Sequence, residues 1–485
     1  MSEVIYEGLI ATHKKAPVQA QITISKDTGL ITNVIENKEE FKENDNIIKI
    51  NSDCLIFPGM YDIHIHARED ETKGQNHKET YQTAGDAAIN GGVIGIAAMP
   101  NTPNPLTTSE QLKWHQNRTK EIKHPATFLN YVGVGPTTKP LVENVPYKAF
   151  TGPSVGDLFF KSEKELRNTL QHYKGLPISF HVEDFDVLAA NENENNHSTR
   201  RPVECVEVAL KYVLQIIEDY DLNAKLCHWS TGLESFNMIK KHREIMAKKN
   251  LGYNTTIEVS PLHLTFDSNM LEKNPEFWPY VQMNPAIQNK EHRHALIDAL
   301  KEGFIDFIAT DHAPHTISEK FKNFNGSEEE FYKLLKENPE ETKLTCCENG
   351  MSGATWLDTY VNICGMLMTK HNFSSMDIAR VTAYNPGKFV NSFLDSSYGK
   401  GFGKIEVGYQ GSLTIMNIEK EELIVRENLK TKPGYSPLEG LNFKGRVEKV
   451  IVKGEDVTIQ KDYSITDSNS VLFKLRIKDG INVPF

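Results

Sequence analysis

The chain has 485 residues, 39% of them hydrophobic and 25% charged, the balance of an ordinary globular protein with room for one large domain and something smaller. A formal net charge of -11, with no Lys/Arg-dense stripe to reverse it, argues against a general nucleic-acid binder and favours small-molecule chemistry. No apolar run reaches membrane length, MSEVIYEGLI lacks the grammar of a secretory leader, and the six cysteines (Cys54, Cys205, Cys227, Cys346, Cys347, Cys364) form no C-x-x-C pair; a cytoplasmic protein with reduced thiols is expected.

In chain order, VQAQITISKDTGLITNVI and IIKINSDCLIF alternate as strands with glycine turns and predict a small β-structure over residues 1–56. From residue 57 to about 397 apolar strand-like runs alternate with helix-like segments. The strand candidates are IHIH (63–66), then 94–102, 127–135, 147–152, 177–184, 224–230, 255–264 and 304–315. Between them, Ser162 with Glu165 predicts a capping box opening a helix that Gly175 closes, and HALIDALKEG predicts a helix stopped by Gly303. Eight strands alternating with helices over this length predict an α/β fold, a (β/α)8 barrel, with a doubly wound open sheet as the alternative. Strand grammar returns over 398–485 in GSLTIMNI, ELIV and GRVEKVIVKGEDVTI, so the two chain ends are expected to build one companion β-domain. NENENNHSTRR (191–201) reads as a polar surface loop, residues 316–350 as a long charged stretch with a helical patch at EEEFYKLLKE, and the chain after Asp462 carries no usable signal.

YDIHIHARED places His64, His66 and Arg68 at strict alternation, so on a strand all three project from one face. In a barrel the chemistry sits at the C-terminal ends of the strands, where Lys148, His181, His228 and Asp311 also fall. Imidazoles and carboxylates are ligands for zinc and neighbouring divalent metals. One histidine on a strand is usually a satisfied core residue; four on strand ends beside an aspartate point to a metal centre. Lys148 fits poorly as an ammonium. Carboxylated by CO2 it becomes an anionic carbamate able to bridge two cations, whereas its ordinary reading is a surface lysine at a strand end.

These residues resemble the binuclear amidohydrolase superfamily over nearly the whole chain, and within it the dihydroorotase family. FPGMYDIHIHARED is similar to that family's H-x-H-x-R segment, AAMPNTPNP to its M-P-N-T segment and IDFIATDHAPHT to its D-H-A-P-H segment; MNPAIQNKEHRHALIDALKEG and TAYNPGKF also fit. The chain departs where Asn284-Pro285-Ala286-Ile287-Gln288 stands for the family's N-P-P-L-R, and where 316–350 exceeds the usual loop.

The resemblance implies reversible cyclisation of N-carbamoyl-L-aspartate to L-dihydroorotate in pyrimidine biosynthesis, through a hydroxide activated by two divalent metals, zinc first among them. It implies His64, His66 and Asp311 on one metal, His181 and His228 on the other, carboxylated Lys148 between them, and Asp311 as the catalytic proton carrier. Arg68, Asn101 and His315 would hold the substrate carboxylate. His312, His263 and the EHRH histidines match no ligand position and read as structural or solvated. The stretch 316–350 is expected to reach over or beside the substrate. A homo-oligomer and an association with aspartate transcarbamoylase, a partner of some dihydroorotases, are both compatible with the family. Two other readings stand beside this one: a hydantoinase, dihydropyrimidinase or allantoinase sharing the metal site, and an inactive scaffold. Arg68 favours a carboxylate-bearing substrate, and the full ligand set opposes the scaffold.

Overall fold

A computed structural model describes residues 2–43, 46–153, 158–346 and 350–481. The chain begins in a mixed sheet: β1 (Glu3–Ile10), β2 (Val18–Ser25), β3 (Ile31–Ile35), β4 (Ile47–Lys49) and β5 (Cys54–Pro58). β1 pairs antiparallel with β2 and parallel with β4 and β5. At Gly59 the backbone passes from this sheet into the barrel so closely that a Cβ would lie 2.5 Å from Ile94 Cγ1. Only glycine fits there.

The barrel strands are β6 (Met60–Ile65), β7 (Val93–Ala98), β8 (Thr127–Asn130), β9 (Val132–Val134), β10 (Tyr147–Phe150), β11 (Pro177–His181), β12 (Asn223–Leu226), β13 (Thr256–Val259) and β14 (Phe307–Ile308). They occupy eight positions, because β8 and β9 are one strand interrupted at Tyr131, with β8 on β7 and β9 on β10. Every pairing from β9 to β14 is parallel. The ring closes through a bridge between Ile65 and His312, with His66 N–H donating to His312 O at 2.7 Å. Strands buried on both faces need apolar runs, which is why IGIAA and PISFH read as they do.

The two chain ends meet as expected. β15 (Leu413–Leu423) lies antiparallel on β5, and β16 (Asn442–Val452) and β17 (Glu455–Asp456) extend the same sheet. Its own core includes Tyr6, Ile22, Ile24, Ile415 and Ile451, separate from the large barrel core. GSLTIMNI and the start of ELIV form one strand here, because a bulge between Asn417 and Glu421 absorbs the polar residues between them.

Several local expectations need correction. The strand predicted over 255–264 ends at Val259, and Pro261 opens a short helix, Pro261–Thr265, where a missing N–H costs nothing. The run 304–315 is a strand only at Phe307–Ile308; beyond it the chain turns. Ser162 caps Glu163–Leu170 by accepting from Glu165 N–H, but the Glu165 carboxylate takes Lys161 N–H, so the box is half formed. The polar run 191–201 is not simply a surface loop, since His197–Arg200 is a helical turn that buries His197 against Met283 O at 2.8 Å.

The charged stretch 316–350 is largely helical, with Ile317–Lys320, Glu328–Glu337 and Pro339–Thr345, because Phe321, Phe324 and Phe331 give it a buried apolar side. The tail beyond Asp462 adds a short helix, Val471–Phe473, whose residues are buried. Cys54, Cys205, Cys227 and Cys364 are buried free thiols and Cys346 is buried; Cys347 lies outside the described residues. Among the described residues no helix is long and apolar enough to cross a membrane.

Candidate active site

The C-terminal ends of the barrel strands surround a cavity of about 370 Å3, lined by His64, His66, His181, His228 and Asp311 together with Arg68, Asn101 and His315. All the candidate residues named from the sequence meet here except Lys148, which is fully buried on β10 beneath it. A larger cavity of about 490 Å3 opens at the opposite end of the strands, by Pro177, Asn223 and Thr256, but no histidine lines it. Chemistry, not size, selects the first.

The donors converge closely. Asp311 Oδ1 lies 3.2 Å from His64 Nε2 and 3.0 Å from His66 Nε2, while His181 Nδ1 lies 2.9 Å from His228 Nε2. One donor atom each from His64, His228 and Asp311 fall within 4.8 Å of one another, the spacing of a metal site. Burial drives the His64 pKa down to about 4 and holds His66 and His228 well below the usual imidazole range, so the rings are neutral donors; burial also raises Asp311.

These residues fit a metal pair on the structure's own terms. Among the described residues, His66 Nδ1, His228 Nδ1 and Lys148 Nζ are buried with no partner at good hydrogen-bond geometry. An ammonium there, with the Phe150 ring 5.2 Å away and no carboxylate paired to it among the described residues, is costly, and carboxylation would turn that cost into an anionic ligand.

The strand alternation proposed for Arg68 fails. β6 ends at Ile65, and Arg68 has a φ of 57°, outside any strand. His228 (φ 34°) and Asp311 (φ 48°) share this left-handed backbone. Each such residue costs about 1–3 kcal/mol and persists where its surroundings fix it, commonly at functional sites. Here the turns aim the side chains into the cavity instead of along the barrel wall.

Sequence reasoning missed the residues that hold the ligands. Glu258 on β13 is fully buried, takes His64 Nδ1 on one oxygen together with His228 N–H at 3.1 Å, and pairs its other oxygen with Lys225 Nζ. Burial alone would raise its pKa, but Lys225 and His64 outweigh that and hold it well below the carboxylate range. Although His64, Cys227 and Glu258 are also mutually close, Glu258 is committed to these partners and so supports ligands instead of holding an ion.

Glu183 does the same for His181 Nε2 at 2.8 Å, braced by Arg201. Asp62 accepts from Thr310 Oγ1 at 2.5 Å and from His64 N–H at 3.1 Å, tying β6 to the turn bearing Asp311. The only forward signal was a charged residue within a strand pattern, as in TTIEV and MYDIHI.

His312, His263 and His292 are structural, and His294 is exposed. His312 contacts Glu79 at 3.1 Å, His263 contacts Pro285 O at 3.1 Å, and His292 Nδ1 accepts from Gly232 N–H; His294 of the same EHRH run is on the helix Lys290–Lys301. Gln288, at the N-P-P-L-R departure, turns to Arg201 O at 3.1 Å and is absent from the cavity lining, where Met283 and Asn284 stand. Met351, Ser352 and Gly353 form a further wall, with Gly353 (φ 134°) so close that a Cβ would lie 2.3 Å from Ala313 O.

Glu258→Gln removes the anionic acceptor that orients His64, and it is expected to weaken metal affinity roughly ten- to a hundred-fold. Chelator competition on the folded variant measures this. Unchanged affinity would show that Glu258 serves packing alone.

A parallel barrel gathering four histidines, a carboxylate and a buried lysine at its C-terminal mouth has the donor set of a metal-dependent hydrolase. The chain belongs to the amidohydrolase family, whose model matches residues 161–457, and a dihydro-orotase-like model matches residues 53–144. It is 27% identical over 461 residues to the dihydroorotase of Pyrococcus furiosus, covering 95% of this chain and 93% of that one. With the Bacillus subtilis dihydroorotase it is 28% identical over 469 residues, covering 94% and 98%. Among solved structures, the L-hydantoinase (dihydropyrimidinase) of Arthrobacter aurescens superposes with a TM-score of 0.77 at 18% identity, over 96% of this chain and 97% of that one, a likeness of fold.

Proposed function

We propose that the protein is a dihydroorotase, interconverting N-carbamoyl-L-aspartate and L-dihydroorotate. The observation that carries this is the joint lining of one cavity by the metal-type donors and by Arg68 and His315, cationic and hydrogen-bonding groups suited to a carboxylate. Full-length likeness to curated dihydroorotases supports it.

His64, His66 and Asp311 would hold one divalent ion, His181 and His228 the other, with carboxylated Lys148 between; zinc is the first candidate for this N/O donor set. When bound, the metals supply an acidified water and polarise the amide carbonyl. Asp311 takes the proton released on attack and delivers it to the departing amide nitrogen, and in ring closure it runs in reverse. Arg68, Asn101 and His315 hold the substrate carboxylate so that the ring amide faces Asp311.

Dihydroorotate turnover by metal-loaded protein tests the reading. Loss of turnover on chelation and return on adding zinc is expected; metal-loaded protein inert towards both dihydroorotate and N-carbamoyl-L-aspartate would overturn it. The hydantoinase-like reading keeps the same centre but leaves Arg68 without a substrate partner.

A further inference from the structure

Beyond the anchor itself lies a group of charges that none of this chemistry uses. Lys78, in the segment between β6 and the helix Tyr81–Asn90, is buried, with its Nζ 3.1 Å from His315 Nδ1 and 2.9 Å from Glu319 Oε1. Glu319 belongs to the first helical turn of the 316–350 stretch. It is fixed there by the capping box with Thr316, whose N–H its Oε2 accepts at 2.9 Å. His315 is buried, and its other nitrogen, Nε2, lies 3.4 Å from Arg68 Nη2 at the cavity.

A neutral imidazole carries one proton, so it cannot accept at both nitrogens. Burial, with Arg68 and Lys78 close by, pushes the His315 pKa down to about 3 despite Glu319, and the ring is neutral. Two arrangements compete. In one, Lys78 donates to Nδ1 and the proton sits on Nε2. In the other, Nδ1–H is donated to Glu319 across 3.5 Å while Arg68 donates to Nε2 across 3.4 Å. The first has the shorter contact, and Glu319 pins the ammonium so that it cannot withdraw from Nδ1. An Nδ1–H would then point at a cation.

We infer that Lys78, locked by Glu319, is a positioning residue that holds His315 as the Nε2–H tautomer, so that His315 and Arg68 present two adjacent donors to the carboxylate of the substrate. The inference rests on the dihydroorotase reading for the identity of that carboxylate. In that tautomer Nε2–H and Arg68 Nη2–H are both donors on nitrogens 3.4 Å apart, and a carboxylate oxygen is a group that accepts from both. The stretch 316–350 thus contributes to specificity through its first turn, and the residues that follow it, Met351, Ser352 and Gly353, line the same cavity.

The test is the nitrogen NMR spectrum of metal-loaded protein carrying 15N-labelled histidine, with His315 assigned by its loss in His315→Asn. In the parent protein Nε2 should carry the proton and Nδ1 should not, and dihydroorotate should shift the Nε2 signal. Lys78→Met should mix or reverse the tautomers and raise KM for dihydroorotate roughly ten- to a hundred-fold with kcat nearly unchanged, and Lys78→Arg should recover part of the loss. A proton on Nδ1 in the parent, or Lys78→Met with both tautomer and KM unaltered, would overturn the inference. If Lys78→Met does not fold, the parent spectrum alone decides. Failure of the dihydroorotase reading shows itself separately, as absent turnover by the parent protein whatever the tautomer.

Discussion

Lys148→Ala should lose most of its bound metal and at least roughly a hundred-fold in turnover, more than the loss of a supporting residue around the ligands. The Lys148 side chain is fully buried on β10, and among the described residues its Nζ has no partner at good hydrogen-bond geometry. An ammonium in that position pays several kcal/mol for desolvation and repels cations as well. A carbamate on the same stem would reverse both terms, since its oxygens would be anionic and would attract the cations that an ammonium repels. Alanine leaves that space without an anion. A small carboxylic acid such as acetate or propionate should therefore restore part of the metal content and part of the turnover, whereas chloride should not. Metal analysis and rates with and without the acid measure this. A structure with two bound metals beside a bare Lys148 amine would refute the bridge.

The barrel was legible in the sequence because parallel strands buried on both faces must be apolar runs, and eight such runs separated by capped helices leave few architectures. The candidate ligands were legible because imidazoles at strand ends are out of place in a core. What escaped was set by residues distant in sequence. Glu258 and Lys225 look like strand residues that happen to be charged; only the fold brings them behind His64, 194 positions away in the case of Glu258. The course of Arg68 was misread for a different reason. Alternation of side chains holds only while the strand lasts, and the local sequence IHARED gives no sign that the backbone turns left-handed two residues after His66. The 316–350 stretch looked polar because its charges outnumber its three buried phenylalanines, which are shared among separate short helical segments and not carried on one continuous helix.

Arg68→Met should keep the fold and the metals yet lose most dihydroorotate turnover. Arg68 emerges from the left-handed turn beside His66, is buried at 4% exposure, and has Nε without a partner among the described residues, a guanidinium held in place with donor capacity to spare. Burial lowers its pKa to about 10, so it stays charged at neutral pH. A buried cation at the cavity wall is costly unless an anion arrives to meet it, and under the proposed function the substrate carboxylate would be that anion. Loss of a charge-assisted bidentate contact is worth on the order of 2 to 4 kcal/mol, hence roughly thirty-fold to a thousand-fold in kcat/KM. Metal content should not follow, because Arg68 donates and cannot coordinate. The parent protein should correspondingly discriminate against dihydrouracil and hydantoin, which present the ring amide but no carboxylate to hold it. Steady-state rates on the three substrates, with metal analysis of the variant, decide the matter. Equal rates on dihydrouracil and dihydroorotate, or full efficiency in Arg68→Met, would remove the reason for a carboxylate substrate and leave the hydantoinase-like reading, in which the same centre opens a ring that Arg68 never touches.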